Sequence, residues 1–342
     1  MYGGGSSGRN KKNFETIAVL IMSNKPLLSV CMITYNHELY IKQAIEGVLM
    51  QETSFDFELI VVDDCSPDNT EIIVNSLIET HPQGSLITYT KQTENKGMYD
   101  NFLYALNACK SEFVALCEGD DYWIDPKKLQ KQVAFLEANP AFEVCFTNTR
   151  VINSNTDIVK DQLMGDDRME IYEHKDLPIW APTLTRVFRN RDFSTVPSAP
   201  GLDNIMLLWQ SKFGKIKLLN TVTSAYRLHS GGVYSAQSEG RRKEHMLVTN
   251  LVSLGLIEKA LYAKYFGMLF KNLIEIYYLD VTMYSANKLK IKNGYRTYKN
   301  DMPLSLRLKI QMVFIFLNMN VIWGYKRNKK FILRVLNKVF IY

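Results

Sequence analysis

The chain has 342 residues, of which 46% are apolar and 22% are charged, as in an ordinary globular protein. This length allows one large domain with an appendage. The net charge of +6 is unevenly distributed, because residues 1–240 carry 22 Lys and Arg against 30 Asp and Glu, whereas residues 241–342 carry 19 against 5. The first part therefore suits a bound cation, and the last part favours an anionic partner.

The five cysteines and the N-terminus argue against a zinc protein and against a secreted protein. No CxxC pair and no Cys/His group with ligand spacing occurs, which argues against a zinc site and for reduced thiols in a cytosolic protein. Residues 1–25 are predicted to be a flexible extension. Their apolar run, Ile17–Met22, is too short for a secretory signal peptide.

Strands alternate with helices through the first 150 residues, which is typical of βαβ units. A helix is predicted after the first strand, at Tyr40–Gln51, and another after the second strand, from an N-cap at Ser66 to about Glu79. Two more are predicted, one after the "NKG" turn at residues 95–97 and one that begins at Asp125. The strands are predicted at Leu27–Ile33, Phe57–Val62, Leu86–Thr90, Phe113–Cys117 and Val144–Asn148. The predicted fold class is α/β, a mostly parallel, Rossmann-like sheet flanked by helices.

Beyond residue 150 the pattern changes. Residues 153–180 are polar and irregular, a helix fits Asn204–Phe213, a strand fits Thr221–Tyr226, and helical spacing dominates from Glu244 to Tyr284. We therefore predict a helical, basic C-terminal extension at residues 241–342.

Within that extension, residues 304–323 form an apolar segment interrupted by Arg307 and Lys309. It falls short of a membrane-spanning helix. Because the basic run "KRNKK" follows and no acidic residue occurs after Asp301, we predict that it lies on an anionic membrane surface. The alternative is an amphipathic helix packed on the domain.

Polar groups follow three of the predicted strands. Strand one runs into "TYNHE" (residues 34–38), strand two into "DDCSPDNT" (63–70) and strand four into "EGDD" (118–121). Ligands bind beyond the carboxyl ends of strands in such sheets. Three carboxylates within four residues raise one another's pKa, so a cation, a basic side chain or water must neutralise Glu118, Asp120 and Asp121.

These pieces, in this order, resemble the family 2 glycosyltransferases of GT-A fold, which use nucleotide-sugar donors. The matching segments are "PLLSVCMITYNHELYI", "ELIVVDDCSPDNT", "ENKGMYDNF", "CEGDDYW" and residues 202–235. Together they span roughly residues 26–235. Within that family, the chain resembles bacterial enzymes that build surface polysaccharides.

The resemblance implies a set of site residues. Glu118 and Asp120 stand at the family's DxD signature, so Asp120 is expected to bind Mn²⁺ or Mg²⁺, with Glu118 and His229 as further ligands. Asp203 stands at the position of the catalytic base. Other interpretations stay open, namely Asp203 as a helix cap, His229 as a structural residue, Lys96 as a solvated lysine and Trp123 as core. The expected donor contacts are Thr34, Tyr35, Asn36, Glu38, Asp64, Lys96, Gly97, Asp120, Asp121, Trp123 and Arg227.

The hypothesis is therefore an inverting, metal-dependent glycosyltransferase. It would take a nucleotide-sugar donor, with UDP favoured over dTDP or GDP, and a glycan or lipid-linked acceptor. It would lie peripherally on the inner face of the bacterial cytoplasmic membrane and bind no nucleic acid. Residues 26–150 would form the nucleotide-sugar half and 151–240 the acceptor half. The alternatives are a nucleotide-sugar hydrolase and a non-enzymatic polysaccharide-binding module.

Overall fold

A computed structural model describes residues 25–232, 237–322 and 329–340. The predicted N-terminal extension therefore lies outside the described residues except for Lys25, as do the first three residues of "KRNKK". Over the described residues the strands are β1 (Leu28–Thr34), β2 (Phe57–Asp63), β3 (Ile87–Lys91), β4 (Phe113–Leu116), β5 (Tyr122–Trp123), β6 (Phe142–Asn153), β7 (Ile158–Lys160), β8 (Ile171–Tyr172), β9 (Val187–Arg189) and β10 (Lys215–Leu228).

The helices of the same ranges are α1 (Ile41–Leu49), α2 (Thr70–Thr80), α3 (Met98–Ala108), α4 (Lys128–Ala138), α5 (Leu202–Gln210), α6 (Glu239–Ser253), α7 (Tyr262–Leu279), α8 (Val281–Tyr298), α9 (Leu304–Ile322) and α10 (Lys329–Val339). In the part of the chain that is described, none of them is both long enough and apolar enough to cross a bilayer. The chain divides into two compact units, residues 1–134 with 187–191 and residues 135–186 with 192–342. They are called the first and the second unit below.

The first unit contains a parallel sheet in the order β3-β2-β1-β4, with β9 antiparallel to β4. β1 and β2 are almost entirely buried and rich in β-branched residues, as expected for strands that are covered on both faces. Their last residues are in register, Thr34 opposite Asp63. The loops that follow these two strands therefore leave the sheet at one edge.

The second unit contains two long parallel strands, β6 and β10, with β7 antiparallel to β6 and β8 antiparallel to β10. Its helices pack through aromatic side chains. Phe266 of α7 lies edge-on against Tyr295 of α8, and Phe270 lies edge-on against Phe314 of α9. The apolar faces predicted from helical spacing thus form the core of this unit.

The prediction that Ser66 caps α2 is wrong. The helix begins at Thr70, after Asn69, and the Ser66 hydroxyl instead accepts a hydrogen bond from the N–H of Asn36 (2.9 Å). The sequence "SPD", which is typical of a helix start, thus lies in the loop after β2, and its serine contacts the loop after β1. The strands predicted at residues 144–148 and 221–226 exist but are much longer, because bulges in β10 let its pairing with β6 continue.

Gly47 of α1 lies against the backbone of β5 in the first unit. A Cβ added there would lie 2.9 Å from the N–H nitrogen and 3.0 Å from the carbonyl oxygen of Trp123. We expect Gly47→Ala to lower the free energy of unfolding by about 1–3 kcal/mol, because rigid backbone must move, as measured by urea denaturation. Gly240→Ala in α6 is the control, since a Cβ there meets nothing closer than 3.7 Å. Equal stability of the two variants would contradict the prediction.

Candidate functional site

The loops after β1 and β2 are joined by hydrogen bonds. Three successive backbone N–H groups, at residues 36, 37 and 38, donate to the side chains of Ser66 (2.9 Å), Thr70 (3.1 Å) and Asp68 (2.8 Å). Burial raises the pKa of Asp68, but hydrogen bonds from Thr70 and from the N–H of Glu38 outweigh it and leave the pKa below its usual value. The loop backbone is therefore fixed, while the side chains of Tyr35 and Asn36 are exposed.

Asp64 holds the "NKG" turn in place. Its two carboxylate oxygens accept hydrogen bonds from the backbone N–H groups of Lys96 (2.7 Å) and Gly97 (2.9 Å), and its side chain is buried. Gly97 has φ +82°, a backbone conformation that favours glycine. Asp64 and Lys96, two of the expected donor contacts, are therefore adjacent, and the Lys96 side chain is exposed.

The "EGDD" loop runs beside the end of β1. The N–H of Gly119 donates to the carbonyl of Ile33 (3.0 Å), and a Cβ on Gly119 would lie 2.7 Å from Thr34 Oγ1 and 2.9 Å from His37 Nδ1. Only glycine allows this approach. It brings Asp120 Oδ2 to 3.8 Å from His37 Nε2, with both side chains partly exposed.

His37 was missed as a candidate site residue. The sequence did offer a signal for it. His37 lies in "TYNHE", three residues after the end of β1, and so belongs to the loop at the carboxyl edge of the sheet where the other candidate residues of the first unit lie. Its Nδ1 lies 3.1 Å from Thr34 Oγ1, which leaves Nε2 on the Asp120 side. A carboxylate oxygen and an imidazole nitrogen form a donor pair that suits Mn²⁺, and the carboxylate also suits Mg²⁺.

Trp123 is a core residue and not an exposed donor contact, since 1% of it is exposed. The buried ammonium of Lys128 lies 4.2 Å from its ring centroid and donates to Gln132 (2.8 Å). Burial raises the pKa of the Cys117 thiol, Asp121 and Glu118 raise it further, and Lys128 opposes them. The acidic loop thus has a buried positive charge close to it. Asp121 itself is buried.

Asp203 lies in the first turn of α5 in the second unit, with 32% of its side chain exposed. Gly201 occupies the N-cap position, so the interpretation of Asp203 as the cap is wrong. The Asn204 amide donates to both carboxylate oxygens of Asp203 (3.2 and 3.3 Å). Arg186, fully buried, donates from Nη1 to the Asp203 carbonyl (2.6 Å), and its Nη2 lies 3.7 Å from Oδ2.

Arg227 and His229 stand at the end of β10, also in the second unit. Arg227 is buried, and its Nη1 is 3.5 Å from the Ser154 carbonyl. His229 is half-buried, and its carbonyl accepts a hydrogen bond from the N–H of Gly232 (3.3 Å). Both therefore have structural contacts within their own unit. Their predicted roles toward the donor and the metal stay predictions.

Comparisons with known proteins agree with this arrangement. The family model described as "Glycosyl transferase family 2" matches residues 29–197, about half of the chain. An uncharacterized protein of Mycobacterium tuberculosis is 34% identical over 226 residues, which are 63% of this chain and 63% of that protein.

Two solved structures are similar in fold. S. aureus TarS 1-349 in complex with UDP-GlcNAc aligns with a TM-score of 0.59 at 17% identity, covering 82% of each chain. A mannosyltransferase of Pyrobaculum calidifontis in complex with GDP-Man and Mn²⁺ aligns with a TM-score of 0.51 at 15% identity, covering 93% of this chain and 86% of that one. At such identities the likeness shows the fold alone.

The parallel sheet, with polar loops after β1, β2 and β4, defines an α/β domain of the GT-A type. With the family match, residues 29–197 belong to glycosyl transferase family 2, whose members are glycosyltransferases (EC 2.4). The family, the fold class and the enzyme class predicted from the motifs are confirmed.

The Asp64 contacts give a test of how the site is built. We expect Asp64→Ala to lower the free energy of unfolding by about 2–3 kcal/mol, because hydrogen bonds to a charged acceptor are lost in a buried place. Amide hydrogen exchange at Lys96 and Gly97 should accelerate. Asn95→Ala is the control, since Asn95 Oδ1 also accepts from the Gly97 N–H (3.1 Å) but is exposed. Unchanged exchange in Asp64→Ala would contradict this account.

Proposed function

We propose that this protein is an inverting, metal-dependent glycosyltransferase that moves a sugar from a nucleotide-sugar donor, first of all a UDP-sugar, to a hydroxyl of a glycan or lipid-linked acceptor. The observation that supports it most is that the polar loops after β1, β2 and β4 lie together at one edge of the first unit's sheet. TarS was crystallised with UDP-GlcNAc and the mannosyltransferase with GDP-Man and Mn²⁺, so both nucleotides belong in any donor panel.

In this proposal the donor lies over the loops of the first unit. Tyr35 and Asn36 offer exposed side chains to the base and ribose, next to Asp64, and the exposed ammonium of Lys96 offers a charge to the diphosphate. Asp120 would hold the divalent cation, with Glu118 and His229 as the further predicted ligands and His37 beside Asp120. When bound, the cation would neutralise the charge on the donor diphosphate.

Asp203 is proposed as the general base. Its carboxylate accepts the proton of the acceptor hydroxyl, the hydroxyl oxygen forms a bond to the anomeric carbon from the opposite face, and the bond from that carbon to the diphosphate oxygen breaks. The configuration at the anomeric carbon is thereby inverted. Arg186 and Asn204 hold Asp203 from its carbonyl and carboxylate sides.

One pair of variants separates donor binding from transfer. Asp120→Ala should remove the Mn²⁺-dependent rise in melting temperature that a nucleotide sugar gives the wild type. Asp203→Asn should keep that rise but lower transfer about 10²–10⁴-fold, because the proton acceptor is lost. Donor binding is measured by thermal denaturation with a panel of UDP-, GDP- and dTDP-sugars. Transfer is measured as the rate at which the free nucleotide product forms.

Exposed acids serve as controls for these two variants. Asp100→Asn in the first unit and Asp161→Asn in the second unit remove a surface carboxylate and should behave as wild type. A metal-dependent shift that survives in Asp120→Ala would contradict its role as a ligand. Transfer near the wild-type rate in Asp203→Asn would show that Asp203 is not the base.

We also propose that the second unit lies on the inner face of the bacterial cytoplasmic membrane. α9 buries one apolar face, with Ile310 and Leu317, and exposes a second one. This second face, the α9 stripe, follows a spacing of four, four and three residues, which places its members on one side of the helix. It consists of Leu304, Leu308, Met312 and Ile315.

The neighbouring helix α8 carries exposed positive charge. α8 packs along α9, since Gln311 donates to the Tyr295 hydroxyl (3.2 Å) and Lys288 donates to Asn318. α8 exposes Lys292 and Arg296. From residue 281 onward the sole acidic residue is Asp301. Apolar side chains next to lysines and arginines match the surface of an anionic bilayer.

Vesicle sedimentation tests this surface. The full chain should sediment with phosphatidylcholine vesicles that contain phosphatidylglycerol. Replacing Leu308, Met312 and Ile315 by Ser should release it, and Lys292→Gln with Arg296→Gln should weaken binding by about 1 kcal/mol for each charge. The control replaces three exposed apolar residues elsewhere, Ile72, Ile158 and Val159, by Ser. Equal sedimentation of the test and control triple variants would contradict the membrane proposal.

A further inference from the structure

An exposed tryptophan stands on an anchored loop of the second unit. The loop runs from Asp176 to Arg186, and Leu177, Ala181 and Leu184 are fully buried in it. Between these buried residues, Trp180 leaves 46% of its surface exposed. An indole ring is one of the largest apolar side chains, so its exposure is a feature that needs a reason.

Both ends of this loop are fixed by buried or half-buried cations. Lys264 of α7 donates to the Asp176 carbonyl (3.2 Å). Arg186 donates from both Nε (3.0 Å) and Nη2 (2.5 Å) to the carbonyl of Ala181, the residue after Trp180. Thr185 adds a hydrogen bond from its hydroxyl to the Pro182 carbonyl (2.7 Å). Trp180 is therefore presented to solvent by an ordered loop.

The same guanidinium links the loop to Asp203. Arg186 Nη2 is 2.5 Å from the Ala181 carbonyl oxygen and 3.7 Å from Asp203 Oδ2. Because both distances start at one nitrogen atom, these two oxygens lie at most about 6 Å apart. The backbone carbonyl of the residue next to Trp180 is thus held within about 6 Å of the carboxylate that we assign as the base, a distance comparable to the width of one sugar ring.

We propose that Trp180 is a platform on which the pyranose ring of the acceptor stacks. The C–H face of a pyranose is apolar, and a rigid indole ring covers it at a small cost in side-chain entropy. Arg186 is then a positioning residue that keeps the platform and the base in one arrangement. This inference rests on the proposed function, since it takes Asp203 as the group that receives the acceptor hydroxyl's proton.

Trp180→Ala and Trp180→Phe test the platform in the full chain. The probes are the methyl α- and β-pyranosides of glucose, galactose, mannose and N-acetylglucosamine, followed by intrinsic tryptophan fluorescence. We expect at least one of them to change the fluorescence of the wild type. In Trp180→Ala its affinity, measured by calorimetry, should fall about tenfold, and Trp180→Phe should recover most of the loss.

Phe213→Ala is the matched control, because Phe213 is 47% exposed and follows the far end of α5 from Asp203. It should bind the sugars as the wild type does, and none of the three variants should alter the melting-temperature shift with nucleotide sugars. Unchanged sugar affinity in Trp180→Ala overturns the inference. So does a wild type that binds a nucleotide sugar but none of the pyranosides. A Trp180-dependent sugar signal without nucleotide-sugar binding supports the platform and counts against the transferase.

Discussion

The register between β1 and its two neighbours is the constraint on which the donor side of this domain depends. Thr34 lies opposite Asp63, so the loops after β1 and β2 leave the sheet together. β4 ends earlier, with Leu116 opposite Cys31, and the chain after it continues along β1 through a backbone hydrogen bond at Gly119. Since a shift of one residue would turn every side chain to the other face, this register decides which groups can meet.

The negative charges of the acidic loop, residues 118–121, lie in two different environments. Asp121 is buried, and the buried ammonium of Lys128 lies close enough to oppose the effect of the acids on the pKa of Cys117. Asp120 instead reaches a partly exposed position beside His37. The three adjacent carboxylates are therefore not equivalent. In the proposal, Asp120 is the one that meets the positive charge of a divalent cation bound with the donor diphosphate.

In the second unit, one buried arginine organises the proposed acceptor side. Arg186 is fully buried and bonds to the carbonyls of Ala181 and Asp203. A buried guanidinium is costly unless its donors are satisfied, and here the satisfied donors fix two separate segments. The Asp203 carboxylate, which we propose as the base, and the loop with Trp180 thus depend on the same side chain. The apolar stripe on α9, by contrast, is a surface property of the helix and needs no such support.

The sequence by itself determined the α/β class, the order of the strands along the chain, and the family, because these depend on local hydrophobic patterning and on motifs that follow buried strands. It also placed Asp64, Asp120 and Asp203 beyond strands or at a helix start. Tertiary structure decided what each polar residue contacts. Ser66 bonds to another loop, Trp123 is buried in the core, and His37 and Arg186 acquire their positions only through packing. Such contacts join residues far apart along the chain, and local spacing carries no information about them.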